Sequence, residues 1–242
     1  MKSLSEKVDI TMTSVLRPSI IEETLESFCK NIFIIRDNYR LIINIDPVGE
    51  DVKPKEVLRV CRKYFNRITH NIPEKPSFPK AVLWAWSQTT ADWVFHLEDD
   101  WLITKPVDIK DMLYILKNNS NISALRMYKR DIPEDKVVNL FGSIYRFDEK
   151  GFFVSNNSIQ FVLNPSLIRG KFIRQAIQLM VDNRNPEKQF KDILMRELTL
   201  RWNDYTKNRI GCQEIIAQIM GISGRICSIF PAKSSSVIPG IL

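Results

Sequence analysis

The sequence predicts an α/β fold with a mostly parallel central sheet and helices on both faces. Three observations lead there. Short apolar runs of strand length alternate with segments of helical periodicity through the first 100 residues. The connections between them have the lengths expected of β-α units. The runs at Leu41–Ile45 and Trp93–Leu97 are apolar but for Asn44 and His96, as in strands buried on both faces.

Val8–Leu16 reads as the first strand, stopped by Arg17-Pro18. Ser19-Ile20-Ile21-Glu22 has the spacing of a capping box. Ile21, Leu25, Phe28 and Ile32 follow on one helical face. Leu41–Ile45 is the second strand, ended by a turn at Asp46-Pro47-Val48-Gly49. Pro54 opens a second helix with Val57, Leu58, Cys61, Tyr64 and Phe65 facing inward. Arg67–Ile72 is a short third strand. Pro79 opens a third helix with a stripe of Val82, Ala85, Trp86 and Thr89. It delivers the chain to Trp93–Leu97 and then to Glu98-Asp99-Asp100.

A helix follows Pro106, with Ile109, Met112, Leu113 and Leu116 inward, and then a strand over 122–128. Residues 130–160 predict a hairpin-like insertion with strands at 144–147 and 152–154. A further strand is expected over 159–164, with helices at about 166–181, 187–202 and 212–220 and an irregular or weakly stranded tail. No linker or repeat divides the chain. One domain over 1–242 is expected, with a first half of 1–128 and a second half of 129–242.

Composition narrows the class. The chain is 44% hydrophobic, enough for a sizeable core. The polar opening MKSLSEKVDI predicts no signal peptide, and no apolar run has the roughly 20 residues of a membrane span. Cys29, Cys61, Cys212 and Cys227 are widely spread, which argues against a zinc site or disulfide framework and fits a cytoplasmic location. The net charge of +7 is concentrated between Arg169 and Arg209, where ten Lys/Arg oppose five acids. That stretch reads either as a solvated helical face or as a surface for an anionic partner, nucleic acid among them.

The acidic triplet is the strongest chemical signal. Three adjacent carboxylates repel one another at the end of an apolar strand, and a divalent cation relieves that repulsion. Oxygen ligands suit Mg²⁺ or Mn²⁺. In open sheets of this type ligands bind beyond the carboxyl ends of the strands, where Arg17, Asp46 and the triplet all fall. His96, inside the strand, reads as a core histidine.

The order of parts resembles the GT-A fold glycosyltransferases that use nucleotide sugars, closest in style to the family-2-like members. The matching stretches are Thr11–Pro18 with its helix, Leu41–Asp46, and FPKAVLWAWSQTTADWVFHLEDDW at 78–101, which ends in a DxD-type motif. The resemblance covers residues 8–128 well and the rest loosely. It implies that Asp100 coordinates Mn²⁺ or Mg²⁺ on the diphosphate of a UDP-sugar. Glu98 and Asp99 would bind the ribose, the sugar or the metal through water. Asp46 would accept a hydrogen bond from the base, and Thr13, Arg17 and Lys80 would line the same pocket. Asp46 also reads as a turn residue before proline, and Arg17 and Lys80 as surface or helix-end cations.

An inverting transferase needs a carboxylate base near the acceptor hydroxyl. The family takes it from the second half, where Glu187 is best placed and Asp182 second. No histidine follows His96, so the second metal ligand common among relatives is missing. The resemblance implies a hydroxyl acceptor, on a glycan or lipid-linked sugar, or on a hydroxymethylated base in DNA, as for phage enzymes. A nucleotidyltransferase ranks lower, because Thr13–Pro18 lacks the glycines that cradle phosphates. A non-catalytic nucleic-acid-binding domain is a further alternative.

Overall fold

The computed structural model describes residues 6–34, 36–103, 106–118, 122–127, 144–146, 152–155, 163–189 and 225–229. The first half alternates as the sequence predicts. β1 (Val8–Leu16), α1 (Pro18–Asn31), β2 (Tyr39–Gly49), α2 (Pro54–Tyr64), β3 (Ile68–Asn71), α3 (Phe78–Ser87) and β4 (Trp93–Glu98) follow in turn. Next come α4 (Ile109–Asn118), β5 (Ile122–Met127), β6 (Ile144–Arg146), β7 (Phe152–Ser155), β8 (Ser166–Arg169), α5 (Gly170–Ala176) and β9 (Arg225–Ile229).

One nine-stranded sheet has the order β3-β2-β1-β4-β8-β5-β9-β7-β6. β1 pairs in parallel with β2 and β4, and β2 with β3. β8 is antiparallel to both β4 and β5, and β7 to both β6 and β9. With β5 and β9 parallel, β8 and β7 run against the other described strands.

Helices cover both faces. On one side α1, α2 and α4 bury Ile21, Leu25, Phe28, Val57, Cys61, Met112 and Leu116 against Ile10, Met12, Phe95 and Leu97. Phe33 sits at the centre of this layer, edge-on to Phe95 at 5.1 Å and tilted on Tyr39 at 5.0 Å. Truncating such a ring costs about 3–5 kcal/mol. On the other side α3 and α5 pack Val82, Trp86, Phe172 and Ile173 on Val94, Ala124 and Ile168.

Several elements differ from the expectation. The capping box at Ser19 does not form: α1 starts at Pro18 with Arg17 as its N-cap, and no side chain caps it. Proline already holds the first helical φ and has no N–H to satisfy. β2 runs on through Asp46 to Gly49, where a turn was expected, because Gly49 pairs with Leu16. Gly49 has a φ of +126°, and a Cβ there would lie 2.7 Å from the Leu16 carbonyl oxygen.

The strand expected over 159–164 is described only from 163, and residues 163–165 are outside any strand. The chain pairs just after Pro165 instead, as β8, in the slot between β4 and β5. The helix expected from 166 therefore starts at Gly170, which packs so closely on the α3–β4 connection that a Cβ would fall on the Ala91 carbonyl oxygen. The hairpin insertion is present as β6 and β7. The helix expected at about 187–202 begins at Pro186 and is described to 189, and the one at 212–220 lies outside the described residues.

Candidate active site

The parallel register builds a polar row across the carboxyl edge of the sheet. Asn71 of β3, Asn44 of β2, Thr13 of β1 and Glu98 of β4 stand side by side. In-register residues point to one face, so their side chains share the α3 side. Two residues below Glu98, His96 meets Trp86 of α3 edge-on. It is fully buried, and burial pushes its pKa down to about 3. Trp86 Nε1 and Thr11 Oγ1 both lie against His96 Nδ1, at 3.4 and 3.0 Å. An indole can only donate, so the ring proton of the neutral imidazole is on Nε2. His96 is thus a core residue, as expected.

The acidic triplet does not converge. Glu98 follows the sheet alternation toward α3, and Trp101 Nε1 donates to its Oε2 at 2.9 Å. Asp99 turns to the α1 face. There Val15 N–H donates to Oδ2 at 3.0 Å, Arg17 Nη2 donates to Oδ1 at 2.6 Å, and Thr24 Oγ1 donates to the Asp99 carbonyl at 2.9 Å. Asp100 is left outward, its side chain 52% exposed, with Oδ2 3.9 Å from Arg17 Nη2. Arg17 is aimed by its local structure. Its N–H bonds the Val15 carbonyl at 2.9 Å in a tight turn, and Pro18 starts α1 immediately after.

Burial raises the pKa of both Glu98 and Asp99 above their ordinary values. For Glu98 the charges of Asp100, Glu187 and Asp99 push the same way, and the indole pulls back. For Asp99 the Val15 amide and the Arg17 guanidinium pull back without overcoming burial. Among the described residues, no three His, Cys, Asp or Glu side chains gather to hold a metal ion. Asp100 remains as one outward carboxylate. That donor set fits Mg²⁺ or Mn²⁺ held by a single carboxylate together with substrate phosphates and water.

Asp46 is buried at the carboxyl end of β2 and engaged at both oxygens. Asn44 Nδ2 donates to Oδ1 at 2.8 Å and the Ser77 backbone N–H to Oδ2 at 3.0 Å. Asn71 Nδ2 donates to Asn44 Oδ1 at 2.7 Å. Sequence reasoning missed Asn44, Asn71 and Ser77. The available signal was the polar alternation Asn44-x-Asp46 in an otherwise apolar strand.

The second-half carboxylates separate. Asn185 caps the turn that starts at Pro186: its Oδ1 accepts from Lys188 N–H at 3.1 Å. That turn presents Glu187, whose Oε1 accepts from Leu163 N–H at 2.7 Å. Glu187 is the second-half carboxylate that acts on Glu98. Asp182 instead pairs with Lys80 at 3.6 Å, both side chains more than half exposed. The structure therefore brings Thr13, Arg17, Asp46, Glu98, Asp99 and Asp100 to one edge, with Glu187 near enough for its charge to act on Glu98. Lys80 and Asp182 form a surface pair beside α3.

No protein-family model matches the sequence, and no curated protein matches it. Solved structures do. A mannosyltransferase from Pyrobaculum calidifontis, PcManGT, in complex with GDP-Man and Mn²⁺ superposes with a TM-score of 0.59 at 11% identity, over 90% of this chain and 69% of that one. Residues 1–349 of S. aureus TarS give 0.55 at 15% identity, over 76% of this chain and 54% of that one. The same TarS fragment with UDP-GlcNAc gives 0.52. This chain spans about half the length of the TarS fragment. The fold is thus the GT-A fold expected from the sequence.

Proposed function

We propose that this chain is a metal-dependent glycosyltransferase that moves a sugar from a nucleoside diphosphate, a UDP-sugar, to a hydroxyl acceptor. The observation that carries the reading is the meeting of Thr13, Arg17, Asp46 and the Glu98–Asp100 triplet at the carboxyl edge of a GT-A sheet. Chains of this fold have been solved with UDP-GlcNAc and with GDP-Man and Mn²⁺.

Asp46 accepts the N–H of the base, and Thr13 lines the pocket between Asn44 and Glu98. Asp100, the outward acid, would hold Mn²⁺ or Mg²⁺. When bound, such a cation supplies Lewis-acid stabilisation to the departing diphosphate. Asp99 keeps Arg17 beside Asp100, where the guanidinium adds positive charge near the phosphates. Glu98 faces the sugar or ribose as an acid whose burial favours the neutral, hydrogen-bonding form. Glu187 takes the proton of the acceptor hydroxyl, its orientation fixed by the Leu163 amide. Asp182, paired with Lys80, is the weaker candidate for that base, and Lys80 reaches the donor only if that surface pair opens.

The whole chain is proposed to act as one unit, 1–128 binding the nucleotide sugar and 129–242 the acceptor. A glycan hydroxyl is favoured over hydroxymethylated DNA. Of the basic residues at 169–209, Arg169 donates to the Leu116 carbonyl and stacks on Trp93, and Arg174 donates to the Ala91 carbonyl at 3.0 Å. Those two cations brace the fold, and residues 190–209 lie outside the described residues. No helix among the described residues is long and apolar enough to cross a membrane. We propose a cytoplasmic location, since four widely spread cysteines suit a reducing compartment.

A hydrolysis and transfer screen over UDP-, GDP- and TDP-sugars, with and without Mn²⁺, tests the reading. Turnover of a UDP-sugar that depends on the cation is expected. Failure to bind or turn over any nucleotide sugar overturns it.

A further inference from the structure

The relay Asn71–Asn44–Asp46 carries a consequence for which base the site accepts, resting on the reading of Asp46 as a base-binding residue. A carboxylate can only accept hydrogen bonds. Asn44 must therefore turn its NH₂ toward Asp46, as the 2.8 Å contact requires. That leaves Asn44 Oδ1 facing Asn71, which must answer with its own NH₂, at 2.7 Å. One carboxylate thus fixes the orientation of two amides. Conversely, the two amides hold Asp46 in place as an acceptor. The Ser77 backbone N–H on the other oxygen and Ser14 Oγ on the Asn44 carbonyl at 3.1 Å brace the same chain. The amide polarity follows from the chemistry of the carboxylate.

We infer that Asn71 and Asn44 are positioning residues that make the pocket select bases with a ring N–H over bases with a ring lone pair at the same edge. Uracil N3–H and guanine N1–H meet Asp46 as donors. Cytosine N3 and adenine N1 present a lone pair to it and are repelled. A site whose hydrogen-bonding groups would be left facing a like group rejects the wrong ligand strongly. Uracil and cytosine have the same ring size, so the UDP-to-CDP ratio isolates this effect from shape.

The test is calorimetric titration of the full chain with UDP, CDP and inorganic pyrophosphate in Mn²⁺. Wild type is compared with Asn71→Asp and Asn71→Ala. Asn71→Asp keeps the size but replaces the donor with an acceptor. Asn44 must then reverse its amide, which puts its oxygen against Asp46 and displaces the carboxylate. The UDP preference over CDP is expected to fall about tenfold, the scale of one reversed hydrogen bond. Asn71→Ala removes the donor without adding charge and is expected to lower the preference less. Pyrophosphate affinity is expected to stay unchanged in both, which a general loss of structure would not permit. If either folded variant keeps the wild-type ratio, the relay is not the selector, and the glycosyltransferase reading stands. If wild type binds UDP and CDP equally, the inference fails in the same way. If wild type binds no nucleoside diphosphate, the functional reading itself fails, and this inference with it.

Discussion

Arg17 grips Asp99: its Nη2 lies 2.6 Å from Asp99 Oδ1, while the Val15 amide holds the other oxygen at 3.0 Å. The repulsion expected of three consecutive acids is thus relieved in part by the protein's own cation. Arg17→Met leaves Asp99 buried with the amide alone. We expect a loss of about 1–3 kcal/mol, toward the lower end because Arg17 is a third exposed to solvent. Urea denaturation measures it. The double variant with Asp99→Asn is expected to recover part of the loss, since the orphaned charge is gone.

Glu98, half-buried, and His96, fully buried, give opposite pH signatures. The folded pKa of Glu98 is raised, so the folded state binds a proton first as pH falls. Stability from this group is gained as pH drops from its folded pKa toward 4.5 and is lost at higher pH. Glu98→Gln removes that gain, so its stability relative to wild type is best at neutral pH and worsens on acidification. Asp99 has the same sign and is coupled to Glu98, so the difference reports Glu98 together with that coupling.

His96 runs the other way. Its folded pKa of about 3 lies below the 6.5 of the unfolded chain, so wild type loses stability as pH falls from 6.5 toward 3. His96→Asn keeps an acceptor for Thr11 and Trp86 but does not titrate. Its denaturation midpoint is expected to lack that slope, even if its absolute stability is lower. Both pH series are run in chelator, so that cation binding does not enter.

The alternation β1 to β4 was legible because each segment buries its own apolar stripe, and local periodicity reports that directly. Asp46 and the triplet were legible as acids at strand ends. β8 was not: four residues become a strand only because β4 and β5 leave an antiparallel slot for them, which no local pattern records. The divergence of Glu98, Asp99 and Asp100 was hidden for a related reason. Adjacency in sequence suggested a single cluster, but strand alternation and the turn at Asp99 send the three carboxylates to different surroundings. Arg17 was placed at the right end of the right strand, yet its partner lies 82 residues away. Separating Glu187 from Asp182 likewise needed the Leu163 amide and Lys80, neither of which is near in sequence.

Glu187 offers a kinetic prediction. Glu187→Gln keeps an oxygen for the Leu163 amide and therefore the local fold. Loss of a general base is expected to lower kcat by about 10²–10⁴-fold with the donor KM little changed. Asp182→Asn removes only a surface ion pair and is expected to leave kcat within about twofold of wild type.

The exposed Asp100 is proposed to join a divalent cation to a nucleoside diphosphate at the end of β4. Calorimetric titration of UDP into wild type and Asp100→Asn, with Mn²⁺ and with EDTA, tests it most directly. Asp100 is outward and its amide is isosteric, so melting temperatures are expected to match. Tight UDP binding is expected only for wild type in Mn²⁺, with the variant reduced to the level seen in EDTA. Equal UDP binding by both proteins in Mn²⁺, or none by wild type, would contradict it.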